Sequence, residues 1–176
     1  MYLLNDKRII EYDKREILKI TDFDKKFLHP TYYYFRLGRF FKIWDESSMK
    51  YTVAELGDET GEDVLEIPPR GYALIQSLEH FRLSEKVTAI FGQISALSRK
   101  GLRLNHSPTI DPHFSGFLEM GLENLLPKPR EIRFGEPIAK VMFYDISDTY
   151  PVQDIKGSIS ELDYKRREDL RGSEPL

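Results

Sequence analysis

What most constrains this chain is a series of short runs rich in aromatic and β-branched residues, each closed off by proline or glycine. Residues 33–43, 72–78, 87–94, 116–124 and 138–144 have this strand character. Pro68-Pro69, Gly71, Pro108, Pro112, Pro127, Pro129 and Gly135 punctuate the chain between them. Short strands separated by turn signals predict a mainly-β fold, a barrel or a jelly-roll-like sandwich. The start of the chain reads instead as a short helix. Asn5 or Asp6 would cap it, and Leu4, Ile9 and Ile10 would give it an apolar face. Residues 45–63 are polar and acidic and read as a surface excursion. Residues 161–172 are strongly charged and read as a solvated helix or a flap. The expected organisation is one β domain over residues 1–150, including the N-terminal helix, and a charged tail over 151–176.

Composition narrows the function classes. A chain of 176 residues with 40% apolar and 31% charged residues fits one soluble globular domain with a sizeable core. A net charge of -3 disfavours a protein that coats nucleic acid, but a small anionic ligand needs only a local basic cluster. There is no cysteine, so disulfides, cysteine nucleophiles and thiolate metal sites are excluded. No apolar run approaches the ~20 residues of a membrane helix. The N-terminus is too charged for a signal peptide, so a cytoplasmic location is expected.

The chemistry concentrates between Gly92 and Asn124. Ser95, Ser98, Arg99, Lys100 and Arg103 lie close together in sequence. Hydroxyls, backbone N–H groups and cations are what a triphosphate requires, because its oxygens accept hydrogen bonds and carry high charge density. Gly101 permits a tight turn beside them. Further on, Asp111 precedes Pro112, which biases its backbone to an extended conformation. A carboxylate flanked by Ile110 and Phe114 would be partly desolvated, which suits orienting a sugar hydroxyl or activating a water. A turn aspartate that caps the next loop is the alternative.

These segments resemble the dCTP deaminase branch of the trimeric dUTPase-like family. That branch carries a motif similar to R-S-S-L-A-R-x-G-L, matched here by Ile94-Ser95-Ala96-Leu97-Ser98-Arg99-Lys100-Gly101-Leu102. Its I-D-P-G-W-x-G motif is matched by Ile110-Asp111-Pro112-His113-Phe114-Ser115-Gly116. Leu28-His29-Pro30 and Phe35-Arg36-Leu37-Gly38 are similar to the family's early I-Q-P and L-R-L-G segment. Ala73-Leu74-Ile75 with Glu79 resembles its L-x-x-T-x-E strand, with Ser77 where Thr is usual. Gly135-Glu136-Pro137-Ile138-Ala139 is similar to a late turn and strand. The resemblance implies a distorted jelly-roll of the dUTPase-like type and a homotrimer with active sites between subunits. It also implies a pyrimidine deoxynucleoside triphosphate ligand carrying Mg2+ on its phosphates. By matching position, Ser95 and Arg99 would hold phosphate, with Ser98 and Lys100 beside them. Asp111 would lie at the sugar and the reacting water. Asn124 would be structural or close to the ligand.

The chain also departs from the pattern. The family's proton-shuttling Glu stands ten residues after the motif Asp, and that position is Gly121. Glu119 and Glu123 lie two residues to either side and share its face on a strand, so either is a candidate replacement. Ile94 stands where the family has Arg, Ala96 replaces the second Ser, and Tyr32-Tyr33-Tyr34 replaces S-x-D. Three functions remain open: zinc-independent deamination of dCTP to dUTP, dUTP diphosphohydrolysis by an Asp111-activated water, and a non-catalytic nucleotide-binding or regulatory role. Zinc-dependent cytosine deamination is excluded by the absence of Cys.

Overall fold

The computed structural model describes residues 1–57 and 63–148. In chain order its elements are β1 (Tyr2–Leu3), α1 (Asp6–Lys14), β2 (Leu18–Ile20), β3 (Leu28–His29), β4 (Tyr32–Asp45), β5 (Lys50–Glu55), β6 (Val64–Ile67) and β7 (Tyr72–Leu83). There follow β8 (Val87–Gln93), α2 (Ser95–Arg99), β9 (Leu102–Asn105), β10 (Thr109–Ile110), β11 (Ser115–Asn124), β12 (Arg130–Arg133) and β13 (Pro137–Asp145). Most of them join one curled antiparallel sheet in the order β10-β8-β13-β4-β7-β11-β9, and β6 and β12 form a separate ribbon. This is the mainly-β, jelly-roll-like architecture expected from the sequence.

The long strand β4 makes the curl. Its first half pairs with β13, Tyr33 opposite Val141 and Phe35 opposite Ala139. Its second half leaves that layer and pairs with β7 and β5. The handover falls at Gly38, where the register to β7 shifts between Leu37 and Phe41. A Cβ at Gly38 would stand 2.6 Å from the Ser77 carbonyl oxygen, so only glycine lets the two backbones approach.

The two layers close on an aromatic core. Phe35 on β4 meets Phe81 on β7 and Phe91 on β8 edge-on, with centroids 5.9 and 5.5 Å apart. Each ring contributes roughly 1.5–3 kcal/mol through burial. One buried ion pair crosses this core. Glu79 is fully buried and accepts from the Arg36 Nε at 2.7 Å and from the Arg36 backbone N–H at 2.9 Å. Burial pushes the Glu79 carboxyl above its ordinary range, and the Arg36 contacts oppose that. Ser77 is also buried. Its hydroxyl donates to the Glu79 carbonyl at 2.7 Å and accepts from the Leu118 N–H at 2.8 Å. It therefore satisfies β11 at the bulge between Phe117 and Glu119.

Two expectations change in detail. The N-terminal helix forms with Asn5 as its cap, accepting from the Arg8 N–H, and buries Ile9 and Tyr12 rather than Ile10. The polar stretch 45–63 is not wholly an excursion. Residues 50–55 are β5, a hairpin partner of β4, with Trp44 packed edge-on to Tyr51 at 5.1 Å. Residues 161–172 lie outside the described residues.

Candidate functional site

The serine–arginine turn is built on the end of β8. Leu97 anchors α2 by full burial. The Gln93 side chain ties the turn to its neighbours. Its Nε2 donates to the Ser98 Oγ at 2.7 Å and the Leu102 carbonyl at 2.8 Å, and its Oε1 accepts from the Leu104 N–H at 2.7 Å. Gly101 ends the helix at φ 75°, where a Cβ would press to 2.4 Å from Leu126. Ser95, Ser98 and Arg99 are exposed on this fixed turn. The other two cations of the cluster are engaged within the chain. Lys100 forms an ion pair with Glu136, and Arg103 pairs with Glu123 at 2.6 Å. Arg99 is exposed, as is Arg103, which Glu123 engages.

Asp111 stands at the far end of the same sheet. Strand β10 runs antiparallel to β8 with Ile110 beside Ala89, and Asp111 follows it. Ser95 lies six residues further along from Ala89, so the two ends of the strand are roughly 20 Å apart at about 3.3 Å per residue. Strand β11 gives the same answer. Its first residue, Ser115, is close in sequence to Asp111, and its last, Asn124, pairs with Leu102 beside the α2 turn. The two halves of the expected site do not meet within one chain. The Asp111 side chain is exposed although Ile110 is buried, so the expected partial desolvation is absent from the single protomer.

Between the two ends lies the outward face of β11. Glu119, Gly121 and Glu123 alternate along it, opposite Gln76, Leu74 and Tyr72 of β7. Gly121 and Glu123 also face Asn105 and Arg103 of β9. Hydrogen bonds from Arg103 and Asn105 hold the Glu123 carboxyl below its ordinary value, so it is a committed carboxylate. Glu119 is half-buried. Over Gly121 lies the Tyr72 phenol. A Cβ at position 121 would stand 2.0 Å from its oxygen, so any side chain there requires the tyrosine to swing away. Burial, then the proximity of Tyr51 and Glu123, push the Tyr72 hydroxyl upward and keep it protonated.

Asn124 does not face this surface. It is fully buried, and its amide donates to the carbonyls of Ile67, Pro68 and Lys128 while its oxygen accepts from the Leu126 N–H. Of its two expected roles the geometry fits the structural one, since its polar atoms are spent on shaping the loop after β11. Tyr72 and Gln93 were not singled out from the sequence. The signal for Tyr72 was Gly121 itself, because a glycine inside a strand marks the close approach of another group.

Residues 3–146 match the family model described as dCTP deaminase-like. The chain belongs to the dCTP deaminase-like family. Among curated relatives, the dCTP deaminase of Pyrococcus horikoshii is 32% identical over 135 residues, covering 77% of this chain and 80% of the relative. That of Pyrococcus furiosus is 34% identical over 130 residues, covering 74% and 76%. Among solved structures, the 2'-deoxycytidine 5'-triphosphate deaminase of Agrobacterium tumefaciens matches with a TM-score of 0.64 at 16% identity, covering 80% of this chain. This chain spans about half the length of that protein, 47% of it. The family assignment accords with the order of the motifs along the chain.

Among the described residues, no helix is long and apolar enough to cross a membrane, and no group of three His, Asp or Glu side chains is arranged to hold a metal ion.

Proposed function

We propose that the protein binds a pyrimidine deoxynucleoside triphosphate between protomers of a homotrimer and hydrolyses it. The observation that carries this reading is the separation of the two motif ends. Ser95 and Arg99 are exposed at one end of β8 and Asp111 at the other, so a second copy must supply the missing half. The serine hydroxyls and the Arg99 guanidinium would hold phosphate oxygens. Asp111 would orient the sugar and the attacking water. Mg2+ would arrive on the phosphates and neutralise their charge. With no three-carboxylate cluster among the described residues, its ligands would be the triphosphate and water.

The reaction carried by the relatives' names is the deamination of dCTP: water adds at C4, and ammonia leaves. It needs a carboxylate to move protons. Glu123 is held ionised by Arg103, which makes Glu119 the better candidate for that task. A specific observation favours a second reading, dUTP diphosphohydrolysis. Tyr72 stands where a carboxylate at position 121 would project, while Asp111, the residue that reaction needs, is present and exposed. Chromatography of products after incubation with dCTP or dUTP and Mg2+ separates them. Formation of dUTP from dCTP supports deamination. Monophosphate with pyrophosphate supports the second reading. Binding without turnover would leave a non-catalytic nucleotide-binding member, and absence of binding would overturn the proposal.

A further inference from the structure

We infer that Tyr72 is a base-contacting, specificity-determining residue whose hydroxyl, seated over Gly121, lets the site accept either a 4-amino or a 4-oxo pyrimidine. This rests on the reading above and adds to it that the base lies against the outward face of β11.

The geometry makes Tyr72 and a side chain at 121 mutually exclusive. Tyr72 begins opposite Glu123, two residues along the strand, and leans diagonally until its oxygen overlies Gly121. Its oxygen, Cζ and Cε2 lie 2.0, 2.6 and 2.8 Å from the Cβ that any other residue would carry there. The ring therefore uses the space that glycine releases. The phenol is half-buried, and that burial, then the proximity of Tyr51 and Glu123, keeps it protonated. The face around it is mixed. Leu74 stands directly opposite Gly121, and Gln76, Glu119, Asn105 and the Arg103–Glu123 ion pair lie along the same stretch of strands.

The exchange changes what the position can recognise. An ionised carboxylate only accepts hydrogen bonds, so it favours an amino group and repels a carbonyl oxygen. A neutral phenol both donates and accepts. It can donate to the 4-oxygen of uracil or accept from the 4-amino group of cytosine. Position 121 as glycine, with Tyr72 above it, thus replaces a selective contact by a tolerant one.

The test is calorimetric titration of the full chain and of Tyr72→Phe, each with Mg2+. The probes are the α,β-imido analogues of dUTP and dCTP, and inorganic tripolyphosphate. Phenylalanine keeps the ring over Gly121 and removes only the hydroxyl. The parent is expected to bind the two nucleotide analogues within about threefold of each other. Tyr72→Phe is expected to weaken both by about fivefold and to leave tripolyphosphate affinity unchanged. Chromatography of the cell contents verifies that the base is unaltered. Unchanged nucleotide affinity in Tyr72→Phe overturns the inference. So does an equal loss for tripolyphosphate, which marks a merely structural role, or a parent that separates the two bases by more than about tenfold. A parent that binds tripolyphosphate but neither nucleotide sinks the nucleotide reading itself.

Discussion

At the scale of single residues, the most informative backbone angle is two residues after Asp111. His113 has φ 65°, and it occupies the glycine position of the I-D-P-G motif that the chain resembles. The left-handed region costs an L-residue about 1–2 kcal/mol, less for histidine than for a branched side chain. Glycine removes that strain but gains freedom in the unfolded chain, which takes back about 0.5–1 kcal/mol. His113→Gly is expected to stabilise the protein by about 0.5 kcal/mol, read from the urea midpoint at constant slope. A clear loss would show that the imidazole makes a contact worth more than the strain. Asn124 gives the opposite case. Asn124→Ala strips partners from the carbonyls of Ile67, Pro68 and Lys128 and from the Leu126 N–H. A loss of about 3 kcal/mol is expected in denaturant unfolding, since buried polar groups left alone cost about 1–3 kcal/mol each. Neither effect was legible in the sequence. A motif position shows that a residue is present, but a torsion angle or an interior amide is fixed only by the surrounding chain.

At the scale of elements, the long strands were visible because each carries its alternation across many residues. β7 buries every second side chain from Ala73 to Leu83, a period-2 pattern that apolar residues write at both ends and buried Ser77 and Glu79 interrupt in the middle, so the sequence shows the strand only over 72–78. β5 was hidden for the opposite reason. Its residues are mostly solvated, Val53 being 53% exposed, and only register to β4 makes it a strand. β2, β3 and β10 are too short to show a period. The N-terminal helix is held by a contact the sequence does not display. Tyr12 of α1 donates to the buried Asp145 at the end of β13, which also accepts from Ser147. Burial opposes the charge there, but the Ser147 and Tyr12 hydrogen bonds hold the Asp145 carboxyl below its ordinary 3.8. A depressed folded-state value stabilises above the ordinary carboxyl range. That stability is lost as pH falls through the folded-state value. Stability should therefore decline in acid with a contribution from this latch. Tyr12→Phe should be less stable near neutral pH and show a shallower decline below about pH 4, measured as unfolding free energy against pH. An unchanged slope would separate the helix contact from the acid transition.

At the scale of the whole molecule, the register of one strand decides how the site is assembled. The candidate residues are named from the sequence, and the resemblance implies a site shared between subunits; what the sequence does not display is that β10 and α2, near in sequence, lie at opposite ends of β8. The cyclic assembly proposed above would resolve this by placing the α2 turn of one protomer against Asp111 of the next. The consequence is genetic complementation between inactive variants. Arg99→Ala lacks the phosphate contact, and Asp111→Asn lacks the acid, so each alone should lose nearly all turnover. In assemblies co-expressed at equal amounts, a site whose turn comes from the Asp111→Asn protomer and whose acid comes from the Arg99→Ala protomer is intact. Random mixing makes about one quarter of all sites of this kind, so activity should return to about one quarter of the parent level per protomer. Mixing the two purified homo-oligomers without exchange should give none. If each chain carried its own site, every site would hold one defect and co-expression would restore nothing. The outcome thus separates a shared site from a private one without reference to which pyrimidine is bound.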